Sequence, residues 1–374
     1  MTNRERILAV LDRKSPDRIP WIARLQLWYN ARRSEGNMPA RFRGMGIKEV
    51  ARLLRTGDPA RDGKVFKTRY EGIEVREERE PGVIRTRFVT PYGEVTQGRI
   101  LSGELEGRTD QGLPLEHPIR KAEDYRVWEY IAEHTYYDPC YEEYVAYEAE
   151  VGDEGFPMVG CGDCPFHHFL LQLVGYNDAY YQIADHPKEF ERLMATMTQV
   201  DKERLWPVVA GSPARLILHG LHFDSQMTPP HYFRKHITPY YKEFSALLHT
   251  RGKSLAWHAD NDSKALLGEI KASGYDMAEC LCTAPMVSVT LEEARAAWGK
   301  DVIIFGGVPS VILEPSMPEA EFEAYMRGLF RIIVPGDAFI LGVADNVMPT
   351  SLIERVERIS ELVEQHGAYP VQPY

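Results

Sequence analysis

No apolar run in the chain approaches the roughly 18–20 residues of a membrane span. Its 374 residues contain no low-complexity tract, short internal repeat or flexible linker. Positive charge is in deficit: 44 Lys and Arg face 55 Asp and Glu, for a net charge of −11. Without a basic stripe to offset it, this balance argues against nucleic acid or an anionic membrane surface as partner. Cysteine is scarce and odd in number, at 5, which suits a reducing compartment better than a disulfide framework. The opening "MTNRERILAVLDRK" has charges throughout its short apolar part and does not read as a signal peptide. Its Thr2-x-x-Glu5 spacing predicts a capping box that starts an amphipathic helix. The expected location is the cytoplasm.

What is present is enough apolar material for a sizeable core, with 44% of residues hydrophobic and 20 Tyr and 6 Trp among them. That bounds the chain to one large α/β barrel or two ordinary domains. Most aromatics are expected to pack helices against a sheet, with a minority lining a pocket for a flat ligand. The first 150 residues are irregular. "IPWIARL" reads as an early strand, residues 72–100 alternate in period two as a β-meander, and helices follow around 122–134 and 138–150.

From about residue 156 short apolar runs alternate with helical segments. The runs lie at 156–161, 214–219, 253–259, 275–281, 301–306 and 338–342. Runs apolar on both faces, separated by amphipathic helices, call for a parallel sheet covered by helices. Together with "IPWIARL" and one unassigned early strand they make about eight. The favoured architecture is a (β/α)8 TIM barrel over residues 1–374, with N-terminal helical and β-meander elaborations; a doubly wound open sheet is second.

Polar residues gather where such a fold carries its site. At the C-terminal ends of successive runs stand Cys161, Asp163 and Cys164; then His219, His222, Asp224 and Gln226; then His258 and Asp260 in "LAWHADND"; then Glu279, Cys280 and Cys282; then Gly306 and Gly307; and last Asp345 and Asn346. Singly, each reads as a satisfied histidine or a helix cap. Their convergence is what points to a site. His258, Asp260 and Glu279 are the candidate acid–base residues, and with Asp345 they are candidate metal ligands. His219, His222, Asp224 and Gln226 are candidate substrate contacts, with Asp224 and Ser225 shaping the turn as the alternative. "CGDC" has redox spacing, but such a motif should open a helix and Pro165 follows at once. In "ECLC" the strand period places Cys280 and Cys282 on the face opposite Glu279, which leaves Cys280 the weaker ligand candidate.

The segments "RILAVLDRKSPDRIPW", "DSQMTPPHYFRKHITPYYKEF", "HADND", "VIIFGGVPS" and "FILGVADNVMPTSLIERVERISELVEQHG", taken in order, resemble the uroporphyrinogen decarboxylase superfamily. The resemblance covers nearly the whole chain and implies a (β/α)8 barrel. It also implies one of two chemistries: cofactor-free decarboxylation of a tetrapyrrole, or zinc-assisted methyl transfer to or from a corrinoid. The decarboxylases carry an arginine-rich N-terminal stretch; here "IARLQLWYNARR" keeps only Arg24 as a possible match, making it a candidate substrate contact. The thiol methyltransferases hold zinc with His-x-Cys and a later Cys. On that pattern His258 keeps the histidine, while Asp260 and Asp345 replace the cysteines.

Imidazole and carboxylates leave a more electrophilic centre than thiolates do, suited to an oxygen or nitrogen leaving group. The resemblance therefore implies O-demethylation: a small methoxylated aromatic or similar O- or N-methyl donor gives its methyl to a corrinoid carried by a separate protein. Zinc or an acid at the barrel mouth would activate the leaving group, and a homodimer is compatible with this reading. The alternatives are a decarboxylase or other lyase, and a non-catalytic protein binding a tetrapyrrole or aromatic ligand.

Overall fold

Short runs rich in Leu, Ile, Val and Met form the parallel strands of the larger of two compact units. The computed structural model describes residues 1–101 and 112–374. The larger unit comprises Met1–Gly63, Glu143–Gly160 and Ala214–Tyr374, and the smaller comprises Lys64–Glu142 and Cys161–Pro213.

In chain order the strands are β1 (Trp21–Ile22), β2 (Phe66–Tyr70), β3 (Glu74–Glu80), β4 (Val83–Thr90), β5 (Gly93–Ile100), β6 (Leu113–Glu116) and β7 (Thr135–Pro139). They continue with β8 (Met158–Gly160), β9 (Leu216–Leu221), β10 (Ser254–His258), β11 (Met277–Leu281), β12 (Ile303–Pro309) and β13 (Phe339–Ala344). The larger unit holds a seven-stranded parallel sheet in the order β1-β13-β12-β11-β10-β9-β8. Residues 57–63 join its two edges through isolated parallel bridges, Ile22 with Gly57 on one side and Gly63 with Val159 on the other. This segment occupies the place of the unassigned early strand. A side chain at Gly57 would bring its Cβ within 2.4 Å of Ile22 Cδ1 and 2.8 Å of the Glu154 carbonyl, so only glycine allows the backbone this close. With helices between the strands, the fold is a TIM-like barrel.

The core follows from strand alternation. Leu216 and Leu218 of β9, Ala256 of β10, Met277 of β11, Ile303 and Phe305 of β12 and Ile340 of β13 form one buried cluster with Ile22 and Met158. Helix Asn3–Leu11 adds Ile7, Val10 and Leu11 to it. That helix starts with the capping box at Thr2 and Glu5, which satisfies two of the N–H groups a helix leaves unpaired.

In the smaller unit β3, β4, β5 and β6 form an antiparallel sheet, and β2 pairs with β7. Strand β3, "EVREERE", is exposed along its whole length. Helix Ala122–Glu133 and then β7 follow the meander, and the next helix, Tyr141–Val151, lies from Glu143 onward in the residues of the larger unit. No helix among the described residues is long and apolar enough to cross a membrane.

Candidate active site

The same alternation that buries Ala256 turns His258, two residues on, toward the barrel axis at the end of β10. His258 pairs in register with Glu279 on β11, so the two side chains leave neighbouring strands side by side. Glu279 Oε2 lies 2.7 Å from His258 Nδ1. His258 Nε2 faces the other way, 3.3 Å from Asp260 Oδ2 and 3.5 Å from Asp345 Oδ1. His222, just past β9, places Nδ1 2.6 Å from Asp260 Oδ1. Its backbone N–H donates to the His258 carbonyl at 3.0 Å, which ties the two histidine-bearing strand ends together.

Two arginines complete the cluster. Arg24, beyond β1, pairs with the Asp345 carboxylate and lies 3.2 Å from Cys280 Sγ. Arg61, in the segment that closes the barrel, pairs with Glu279 and reaches His258 Nδ1 at 3.5 Å. Asn346 donates to Asp345 Oδ2 at 2.7 Å. Three carboxylates thus face two guanidiniums, leaving one negative charge that a protonated His258 neutralises.

Burial governs how these groups hold protons, and the partners then decide the direction. Glu279 is fully buried. Desolvation alone would raise its pKa, but Arg61, His258 and Arg24 together hold it well below the usual carboxylate range. Asp260 is likewise pushed up by burial and brought down further by His222 and His258. Burial works against a charged His258, yet Glu279, Asp260 and Cys280 keep its pKa well above 6.5. Burial and the neighbouring Glu279 push the Cys280 thiol up, only partly offset by Arg24.

The structure therefore brings His258, Asp260, Glu279, Asp345, Arg24 and His222 together at the C-terminal ends of the strands. It separates others. His219 points outward, as alternation with the inward Leu218 requires. It is fully buried against Tyr240, Tyr241 and Phe244, with Nδ1 3.0 Å from the Tyr241 hydroxyl, away from the groups gathered around His258. Asp224 folds back on its own loop, accepting from the N–H groups of Gln226 at 2.8 Å and Met227 at 3.2 Å. It is a turn residue, as short carboxylates commonly are. Gln226 is exposed and serves that turn through its backbone.

Cys280 is a correction of the opposite kind. Strand period sends it away from Glu279, but the pairing of β11 with β12 shifts register between Ala278 and Leu281, and Cys280 has φ 57°. This bulge turns its thiol inward, 3.0 Å from Glu279 Oε1. At Gly306 a Cβ would lie 2.7 Å from the Leu281 carbonyl, so glycine lets β12 pass the distorted strand. Cys282 stays buried.

In the smaller unit Cys164 stands directly before helix Pro165–His168, because proline is favoured, not excluded, at the first helical position. Pro165 thus opens the helix it was expected to prevent, but burial pushes the Cys161 thiol up to about 12, which leaves little thiolate for redox chemistry. Arg61 is the site residue that sequence reading missed. It lies in "GDPARDG", a stretch without an apolar run to mark it as a barrel element.

Residues 96–366 match the sequence profile of uroporphyrinogen decarboxylase (URO-D). The chain belongs to the URO-D family. A solved structure described as a methyltransferase from Methanosarcina mazei aligns with this URO-D family chain at TM-score 0.59 and 12% identity, covering 98% of this chain and 99% of that one. At that identity the likeness establishes the fold alone. More distant are a xylose isomerase domain protein from Planctomyces limnophilus (TM-score 0.28, 14% identity, 61% of this chain and 82% of that one). A GH5-4 endoglucanase from an uncultured bacterium lies equally far (TM-score 0.30, 9% identity, 59% and 73%). No curated protein is significantly similar in sequence.

The donor atoms of the cluster could hold a divalent cation. Two groups, His222 with His258 and Asp260, and His258 with Glu279 and Cys280, each have ligand atoms within 4.8 Å of one another. Imidazole and carboxylate are both good ligands for zinc.

Proposed function

We propose that the protein is a methyltransferase that removes a methyl group from a small O- or N-methyl donor and passes it to a reduced corrinoid carried by a separate protein. The observation that carries this reading is the cluster of acid–base and metal-ligating groups around His258 at the barrel mouth. His258 is flanked on Nδ1 by Glu279 and on Nε2 by Asp260 and Asp345. The relationship to the URO-D family and the fold shared with the Methanosarcina mazei methyltransferase support it.

When the donor's methyl–oxygen or methyl–nitrogen bond breaks, both bonding electrons stay on the leaving atom. That atom must gain a proton or an equivalent positive charge. Glu279, fixed by Arg61, holds the His258 ring so that Nε2 faces the open side. With its pKa well above 6.5, His258 holds a proton at Nε2 near neutral pH and can deliver it to the leaving atom. Asp260 stabilises the imidazolium before transfer. A divalent cation held at His258 would supply the same positive charge as a Lewis acid, and the corrinoid supplies the nucleophile that accepts the methyl.

Mixing the protein with methoxylated aromatics or methylamines and reduced cobalamin tests the reading. Methylated cobalamin and the demethylated product should appear together, and neither should appear with His258→Ala.

A second reading has one observation in its favour. Arg24 and Arg61 each bind the protein through Nη1 among the described residues, so the Nε–Nη2 edge of each guanidinium is available to a substrate carboxylate. Decarboxylation of a small acid would use that feature. Release of carbon dioxide without methyl transfer would favour it.

A further inference from the structure

We infer that this chain binds a divalent cation through His222, His258 and Asp260, a two-histidine, one-carboxylate set, with Glu279, Asp345 and Cys280 outside the coordination sphere. The inference deepens the metal-assisted form of the function proposed above and rests on it for its purpose, though not for its test.

Three observations select this set among the groups at the mouth. The first is the state of the carboxylates. Both oxygens of Glu279 are engaged, Oε1 by Arg61 and the Cys280 thiol and Oε2 by His258 Nδ1. Both oxygens of Asp345 are engaged too, Oδ1 by Arg24 and Oδ2 by the Asn346 amide. A guanidinium on a carboxylate competes directly with a cation for the same lone pairs. Asp260 has no arginine on it. Among the described residues its two oxygens are met only by imidazole nitrogens, His222 Nδ1 at 2.6 Å and His258 Nε2 at 3.3 Å. A cation bound there replaces the protons these contacts share.

The second observation is the orientation of His258. Its Nδ1 is committed to Glu279, which fixes the tautomer that leaves Nε2 as the donor atom. This carboxylate–histidine–metal relay is what a ligating histidine commonly needs. It makes Glu279 an orienting partner and not a ligand.

The third is the backbone at His222, which has φ 55°. A non-glycine residue held in the left-handed region carries a conformational cost that the surrounding structure must offset, and such residues concentrate at functional sites. Here that conformation sets the His222 ring beside the His258 ring, centroids 5.3 Å apart and nearly perpendicular. An extended residue following β9 would not turn its side chain this way.

The chemical consequence is a site with no sulfur ligand. Two imidazoles and one carboxylate accept zinc, and equally manganese, iron(II) or cobalt(II), and leave positions open for a substrate oxygen.

The test is titration of the chelator-treated full-length protein with Co²⁺, read by visible absorption and by metal per chain. The expected result is one Co²⁺ per chain with the ligand-field bands of nitrogen and oxygen donors and no thiolate-to-cobalt charge-transfer band. His222→Ala should weaken binding by more than the ~10–100-fold typical of losing an outer partner. Cys280→Ser should change affinity by less than about 3-fold, and Asp345→Asn should stay within that ~10–100-fold range. His222→Asn, measured with a thermal melt beside it, separates loss of a ligand from loss of the fold and should weaken binding as His222→Ala does. A thiolate band, full affinity in a folded His222 variant, or no Co²⁺ bound by the unmodified protein would each overturn the inference. Full metal binding at His222 without methyl transfer to cobalamin would instead overturn the functional reading and leave this site standing.

Discussion

At the N-terminal end of the barrel, Met158, Leu216, Met277, Ile303 and Ile340 close on Ile7, Val10 and Leu11 of the opening helix. At the C-terminal end of the same sheet, His258, Asp260, Glu279, Asp345, Arg24 and Arg61 occupy the corresponding inward space. The contrast runs along single strands: β11 starts at Met277 and reaches Glu279 two residues later, and β10 passes from Ala256 to His258. One end contributes stability through buried area and the other spends it, since each charge taken out of water must be matched by a partner. In parallel barrels the C-terminal end is where chemistry is carried. The comparison predicts that substitutions at the two ends fail in different ways.

The largest effect should come from His258→Ala. Turnover should fall by ~10²–10⁴-fold, the usual contribution of an acid–base group, and the thermal melt should fall as well, because the buried Glu279 loses the partner at 2.7 Å on its Oε2. Steady-state kinetics beside calorimetry checks both halves. Arg61→Met should blur the contrast, because it leaves the fully buried Glu279 without its guanidinium. A loss of about 3–5 kcal/mol in denaturant unfolding is expected, as for a broken buried ion pair, together with impaired turnover.

Ile340→Ala, at the apolar end, should cost about 2–5 kcal/mol through transfer and cavity terms. It should leave kcat/KM within about a factor of two of the original, a change of about 0.4 kcal/mol in barrier.

The smallest effect concerns a charged pair at the apolar end, His249 with Asp276, where His249 Nε2 lies 2.8 Å from Asp276 Oδ2. The hydrogen bond to Asp276 raises the His249 pKa above 6.5 in the folded state. Its contribution is therefore fully present below the unfolded value, about 6.5, and is lost as pH rises through the higher folded value. The ring is 46% exposed, so solvent screening should keep the effect below about 1 kcal/mol. The melting-temperature difference between the protein and His249→Gln should be visible at about pH 5.5 and gone in the alkaline range above the folded pKa.

Barrel strands were legible because each is an apolar run of its own, and the C-terminal polar residues were legible because they follow those runs. What escaped has physical reasons. Alternation sends His219 outward once Leu216 and Leu218 are inward, so a one-residue choice of face decided it. The bulge at Cys280 breaks that alternation through a positive φ, which no residue type in "AECLC" announces. Arg61 sits on an element held by isolated bridges rather than a ladder, and such a strand needs no hydrophobic signature. Asp224 satisfied a local turn before it could reach the cavity. The pairing of His222 with Asp260 joins two loops 38 residues apart, a contact fixed only by the strand order.

The most direct test of the account is methyl transfer to reduced cobalamin by the full-length protein, measured with a panel of methoxylated aromatics and methylamines. The unmodified protein should convert cobalamin to its methylated form with at least one donor, releasing the demethylated product in equal amount, and His258→Ala should abolish both. Absence of transfer from every donor, robust methylation of free thiols instead, or full transfer by His258→Ala would contradict it.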